Sequence, residues 1–250
     1  MKRPNLYILG GQKCGTSALA HFLAQHPDIY LPKRKEAHIF DHPDIEPTDF
    51  GQLDLAYQDF FADSRSETYA CDATPIYGYW SELLTLIANY SPDTKVIFMV
   101  RDPVERAVSQ YMMETNRGDE SLPMLRAFLK ESDRLSMAYD SRREWTSPAR
   151  WASYLERGRF QQQVEAIYAA FSRENVLILH NDDLRYSHHD TMRSICAFLN
   201  IPYYETEPEA VFSGSYRKKN LTDCLARAYA RWKLKDEIQF VRQFRQSDIK

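Results

Sequence analysis

The sequence predicts an α/β fold in which one central parallel sheet is flanked by helices. Three observations lead there. Residues 6–9, 95–100 and 176–179 are short apolar runs without polar alternation, the pattern of strands covered on both faces. The stretches between them carry helical periodicity, and strands that alternate with helices build a parallel sheet. Two of the runs end in helix-starting signals, Gly10-Gly11 after the first and Asp102-Pro103 after the second.

Taken in order, the run at 6–9 and the glycines lead into Leu19, Phe22 and Leu23, a strand, tight loop and helix. A shorter strand is expected at 68–71, ahead of a helix at 79–90. After the strand at 95–100 and its helix, Val164, Ile167, Tyr168 and Phe171 fall at i, i+3, i+4 and i+7. Met192, Ile195, Cys196 and Leu199 repeat that spacing beyond the strand at 176–179, until Ile201-Pro202 stops the helix. Residues 41–66 and 116–150 are rich in Asp, Ser, Arg and Pro with weaker periodicity, and insertions of this kind on α/β scaffolds often cover a substrate. With no repeat, low-complexity tract or linker, residues 1–250 are expected to form one domain.

A chain of 250 residues buries a sizeable core without disulfide or metal support. Its 44% hydrophobic and 13% aromatic content, with eight glycines, excludes disordered and fibrous classes. The apolar stretch that follows Met-Lys-Arg-Pro is too short for a signal-peptide core or a membrane span, so neither export nor anchoring is expected. Cys14, Cys71, Cys196 and Cys224 form no metal-binding pair and read as reduced thiols of a cytoplasmic protein. Net charge is −3, but residues 216–250 hold ten Lys/Arg and four Asp/Glu, a local +6 suited to an anionic ligand or to a solvated helix face. A nucleic-acid partner, which selects overall basic proteins, is not expected.

Gly10-Gly11-Gln12-Lys13-Cys14-Gly15-Thr16-Ser17 sits where a strand turns into a helix, and such a turn aims backbone N–H groups at an anion. Lys13 adds a cation, and Thr16 and Ser17 add hydroxyls. A nucleoside-triphosphatase loop would read Gly-x-x-x-x-Gly-Lys-Ser/Thr; here Thr16 holds the lysine place and the lysine lies inside the loop. The second element, Arg101-Asp102-Pro103-Val104-Glu105-Arg106-Ala107-Val108-Ser109, again begins where a buried strand ends. Arg101 and Ser109 there either reach one phosphate, or Arg101 pairs with Asp102 or Glu105 at the surface.

Together these elements resemble the PAPS-dependent sulfotransferase superfamily, whose members use 3′-phosphoadenosine 5′-phosphosulfate as donor. The resemblance implies a P-loop-like α/β fold, with Gly11, Gln12, Lys13, Cys14, Gly15, Thr16 and Ser17 around the 5′-phosphosulfate and Arg101 and Ser109 at the 3′-phosphate. Similarity is closest to the branch with heparan sulfate sulfotransferase domains and bacterial enzymes, through Lys35-Glu36-Ala37-His38-Ile39-Phe40-Asp41 and Asp72-Ala73-Thr74-Pro75-Ile76-Tyr77. The pattern Tyr154-Leu155-Glu156-Arg157-Gly158-Arg159-Phe160 and the stretch Ile178-Leu179-His180-Asn181-Asp182-Asp183-Leu184 extend it. Arg217 and Lys218 stand where such proteins close over the nucleotide.

The resemblance implies that Lys13 stabilises the leaving oxygen as PAP, adenosine 3′,5′-bisphosphate, departs. No metal is required. No His lies between Asp72 and Arg101, where cytosolic sulfotransferases place a catalytic one, which leaves Glu36 as the expected base unless it is a surface carboxylate paired with Lys33, Arg34 or Lys35. His38 and Asp72 are further acceptor-side residues. The glycosaminoglycan enzymes carry a lysine near the Thr-Pro motif where this chain has Asp72-Ala73, so a different acceptor is expected, a hydroxyl or amine of a small molecule or of another carbohydrate. Two alternatives stand beside this reading: a kinase using ATP and magnesium, and a non-catalytic nucleotide-binding module.

Overall fold

The computed structural model describes residues 2–209 and 221–245. Its strands are β1 (Leu6–Gly10), β2 (Ile29–Tyr30), β3 (Tyr69–Asp72), β4 (Lys95–Val100) and β5 (Val176–His180). They form one parallel sheet in the order β2-β3-β1-β4-β5. β1 and β4 lie inside it, and from Leu6 to Leu9 and from Val96 to Val100 every residue is buried, which is why neither run alternates. From β1 the chain goes out to one edge and returns through β3, then crosses to β4 and β5. The carboxyl ends of β1 and β4 therefore border the crevice where open parallel sheets bind ligands.

Helices α1 (Thr16–Leu23), α2 (Phe50–Phe60), α3 (Ile76–Tyr79) and α4 (Ser81–Tyr90) accompany the first half of the sheet. The helix expected at 79–90 is α4, which starts at Ser81 because Trp80 is non-helical, and the short α3 precedes it. Gly78 in α3 crosses the end of β1 so closely that a Cβ there would lie 2.3 Å from the Leu9 carbonyl oxygen. Next come α5 (Pro103–Arg117), α6 (Met124–Met137), α7 (Pro148–Trp151) and, after a 3-10 turn at Glu156–Gly158, α8 (Phe160–Ala170). The described chain continues with α9 (Asn181–Tyr186), α10 (His188–Leu199), α11 (Leu221–Lys233) and α12 (Lys235–Arg242).

The two segments of weak periodicity hold real helices: α2 lies within 41–66, and α6 lies within 116–150. They also meet. The Arg143 guanidinium donates to the carbonyls of His42 and Ile45, and Arg150 grips Asp41. The main core lines the sheet and includes an aromatic group of Phe40, Tyr57, Tyr77 and Tyr90. A second apolar cluster joins α5, α6 and α11 around Tyr111, Phe128 and Tyr154. Among the described residues no helix is long and apolar enough to cross a membrane.

Candidate active site

The loop after β1 is fixed before any ligand arrives. Gly11 N–H donates to the Met99 carbonyl at 2.6 Å, which ties the loop to β4, and Cys14 N–H returns to the Gly11 carbonyl at 3.0 Å. Lys13 and Gly15 both take positive φ, 67° and 95°. At Gly15 that conformation suits glycine, and a Cβ would also meet the Asn181 side-chain nitrogen at 2.4 Å. Asn181, at the start of α9, donates to the Cys14 carbonyl at 2.9 Å. The Cys14 side chain is buried below the loop, and burial pushes its thiol up to about 12, so this residue serves the loop through its backbone.

The first turn of α1 carries no side-chain cap and no acidic residue, so its outward N–H groups face the loop without a side-chain acceptor among the described residues. Thr16 is buried and Ser17 half-buried at that turn. The Lys13 ammonium lies 3.5 Å from the Met113 thioether and forms no ion pair among the described residues. Burial lowers its pKa, and the nearby Arg117, Arg101 and Arg106 lower it further against an opposing pull from Glu114. A cation with no counter-ion among the described residues, beside an uncapped helix start, fits an anionic group.

Arg101 follows β4 directly and donates from Nη1 to the Lys13 carbonyl at 3.1 Å, leaving its other donors for a ligand. The alternative pairing with Asp102 or Glu105 does not form. Asp102 caps α5 by accepting from the N–H groups of Val104 and Glu105, and Glu105 pairs with Arg227 of α11. Ser109 lies half-buried on α5. Arg217 and Lys218 lie outside the described residues.

The 36–41 loop follows β2 in the chain and is bonded to the end of β3, through Ala73 N–H to the Lys35 carbonyl and Ala37 N–H to Asp72. Glu36 accepts from Lys35 and, at 3.0 Å, from His38 Nε2, so it does take a neighbouring lysine as partner, although a histidine holds its other oxygen. His38 Nδ1 in turn faces Asp41 Oδ2 at 2.9 Å, and Asp41 receives Arg150 Nη1 at 2.6 Å. Burial opposes both charges in the Glu36–His38 pair, but the pairing wins. Hydrogen bonding by His38 and the charge of Lys35 hold Glu36 at about 2, while Asp41 and Glu36 raise His38 to about 9.

Asp72 is where the structure corrects the sequence reading. It was expected at the acceptor, but its side chain is 0% exposed. Its carboxylate accepts from Tyr57 at 2.7 Å, Thr74 at 2.5 Å and the Ala37 N–H at 3.4 Å. Asp72 thus anchors the loop that carries Glu36, and burial raises its pKa to about 6.

Residues that sequence reasoning did not single out complete the site from beneath. Arg106 of α5 is 0% exposed and donates to the carbonyls of Gln12 and Tyr154 and to Gln110. Arg157 is 3% exposed and donates to Gln12 Oε1 at 2.7 Å. Burial lowers Arg106 to about 10. Their signal lay in the quoted motifs, since a charged residue at an otherwise buried motif position needs a partner.

The model of the sulfotransferase domain family matches residues 3–225. Human heparan sulfate glucosamine 3-O-sulfotransferase 3B1 is 35% identical over 108 residues, covering 43% of this chain and 26% of that protein. Mouse bifunctional heparan sulfate N-deacetylase/N-sulfotransferase 4 is 26% identical over 255 residues, covering 91% of this chain and 26% of its own. The chain thus spans about a quarter of the length of these curated relatives. Among solved structures, a sulfotransferase from Alicyclobacillus acidocaldarius superposes with TM-score 0.77 and 28% identity, over 99% of this chain and 98% of that one. The sulfotransferase domain from the curacin biosynthetic pathway shares the fold at TM-score 0.52 and 16% identity, over 89% of this chain and 83% of that one.

Proposed function

Since the chain belongs to the sulfotransferase family, we propose that it moves the sulfuryl group of PAPS to a hydroxyl of a carbohydrate or small-molecule acceptor and releases PAP. The observation that carries this reading is the convergence, at the carboxyl ends of β1 and β4, of an uncapped helix start, Arg101 and an ammonium with no counter-ion among the described residues. The N–H groups at Gly15, Thr16 and Ser17 would hold the 5′-phosphosulfate, with Gly11 and Gln12 shaping the loop. Arg101 and Ser109 would hold the 3′-phosphate, and Arg217 and Lys218 would close over the nucleotide.

PAPS supplies the activated sulfuryl group. The acceptor oxygen bonds to sulfur as the bond from sulfur to the bridging oxygen breaks, and that electron pair leaves on PAP beside Lys13. Glu36 takes the hydroxyl proton. A carboxylate held at about 2 is a weak base, but an alcohol oxygen becomes strongly acidic as it bonds to sulfur, so the transfer runs downhill late in the attack. His38 orients Glu36 from one side and Asp41 orients His38 from the other. The heparan sulfate relatives support a carbohydrate hydroxyl as one acceptor class.

Calorimetric titration with PAP in EDTA tests the donor site. Micromolar binding that withstands chelation and exceeds the affinity for ATP is expected; equal affinity for ATP, or loss of binding on chelation, refutes it.

A further inference from the structure

Arg157 is buried yet forms no ion pair with a carboxylate among the described residues, an arrangement whose desolvation cost calls for an explanation. Its guanidinium is spent on neutral acceptors from two separate parts of the chain. Nη1 donates to Gln12 Oε1 at 2.7 Å in the loop after β1, and Nη2 donates to the carbonyls of Arg150 at 2.7 Å and Ala149 at 3.2 Å in α7. Its plane lies over the Tyr79 ring at 4.9 Å, which fixes its orientation.

Arg150 then carries the connection onward. Its Nη1 reaches Asp41 Oδ2 and its Nη2 reaches the Asp41 carbonyl, both at 2.6 Å, while Trp145 and Trp80 flank the guanidinium at 4.4 and 5.0 Å. Asp41 holds His38, and His38 holds Glu36. A path therefore runs from Gln12, beside Lys13, to Glu36: Arg157 holds Arg150 at its backbone carbonyl, and the Arg150 side chain carries the connection to Asp41, His38 and Glu36.

We propose that Arg157 and Arg150 form a brace that sets the position of the Glu36–His38 pair relative to the Lys13 loop, making both arginines positioning residues for the transfer. The inference rests on the reading that Lys13 serves the donor and Glu36 the acceptor. Its physical reason is the steep dependence of in-line transfer on geometry. The donor loop and the base loop hang from different strands, and a displacement of about 1 Å between reacting groups costs on the order of a hundredfold in rate. Asp72, Thr74 and Tyr77 tie the base loop to β3 and α3, and the two arginines add a link from that loop to the donor loop.

The test uses hydrogen exchange on the full chain. The amides of Ala37, His38, Ile39 and Phe40 are bonded to the side chains of Asp72, Thr74 and Tyr77, so their exchange reports the order of the base loop. Arg157→Lys keeps the charge and loses the fork. It should speed exchange at these amides by at least about tenfold while Ile97 in the central strand β4 stays unchanged. Should Arg157→Lys fail to fold, Gln12→Ala cuts the same path from the other end and should give the same pattern. Unaltered exchange at residues 37–40 in a folded variant overturns the brace.

Kinetics separate positioning from general support. Arg157→Lys and Arg150→Lys should each lower kcat for an aliphatic alcohol about tenfold more than for an acidic phenol, which needs the base less. Their double variant should be little worse than either alone, because each cuts the same path. Equal losses for both acceptors, or additive losses in the double variant, also overturn it. If the wild-type protein transfers nothing from PAPS, the functional reading fails while the exchange result still decides the brace.

Discussion

Replacing Glu36 with glutamine keeps the size of the side chain and removes both its charge and its capacity to take a proton. The structure sets the electrostatic consequence. Burial lowers His38, yet hydrogen bonds and charge from Asp41 and Glu36 carry it from its ordinary 6.5 to about 9. That net rise corresponds to on the order of 3 kcal/mol of preference for the charged imidazole. Asp41, the stronger of the two partners, remains in Glu36→Gln, so His38 should fall from about 9 yet stay above its ordinary value. Histidine-resolved NMR titration reads this directly. In transfer assays kcat with an aliphatic alcohol should drop about a hundredfold or more, an acidic phenol should recover part of that loss, and PAP affinity should hold. Near-normal kcat with the alcohol would refute the assignment and make His38 the next residue to test.

The same pair fixes a pH window for stability. His38 is raised in the folded protein, so its contribution is complete below about 6.5 and is lost as pH rises through about 9. Glu36 is depressed, so its contribution is present above about 4.5 and is lost as pH falls through about 2. Denaturant titrations across pH should therefore show the wild type losing stability between neutrality and pH 9 by more than Glu36→Gln does; parallel curves contradict the pairing. Lys13→Ala should cut kcat by about a hundredfold or more, by the size of a lost oxyanion donor, and a variant altered only in donor KM would show that Lys13 merely binds. Arg101→Ala should weaken PAP far more than adenosine 5′-phosphate in calorimetry, because only PAP carries the 3′-phosphate; equal weakening would remove Arg101 from that role.

The sheet was legible because its inner strands leave no ambiguity. The inner runs at 6–9 and 96–100, in β1 and β4, are apolar throughout, and the run at 176–179 pairs with the second as the edge strand β5, with Val176 opposite Val96. β2 was not legible, since two residues, Ile29 and Tyr30, carry no periodicity and pair only because β3 lies beside them. Helices α2 and α6 hid in polar stretches because each buries a narrow face, Leu53 and Tyr57 in α2 and Ala127 and Phe128 in α6. Chemistry followed the same division. Lys13 and Glu36 stand in contiguous motifs, whereas the partners that orient them come from far along the chain: Arg150 to Asp41, Arg157 to Gln12 and Asn181 to Cys14. Asp72 misled because residue type alone does not say which side of a strand end faces the interior; Tyr57 and Thr74 enclose it there.

The central claim, sulfuryl transfer from PAPS without a metal ion, is tested most directly by incubating the protein with sulfur-labelled PAPS, a panel of hydroxyl acceptors and EDTA. The account predicts that label moves to an acceptor in step with release of PAP, and that Lys13→Ala suppresses both. Loss of that transfer in EDTA with recovery on added magnesium, or phosphate transfer from ATP in its place, would contradict it.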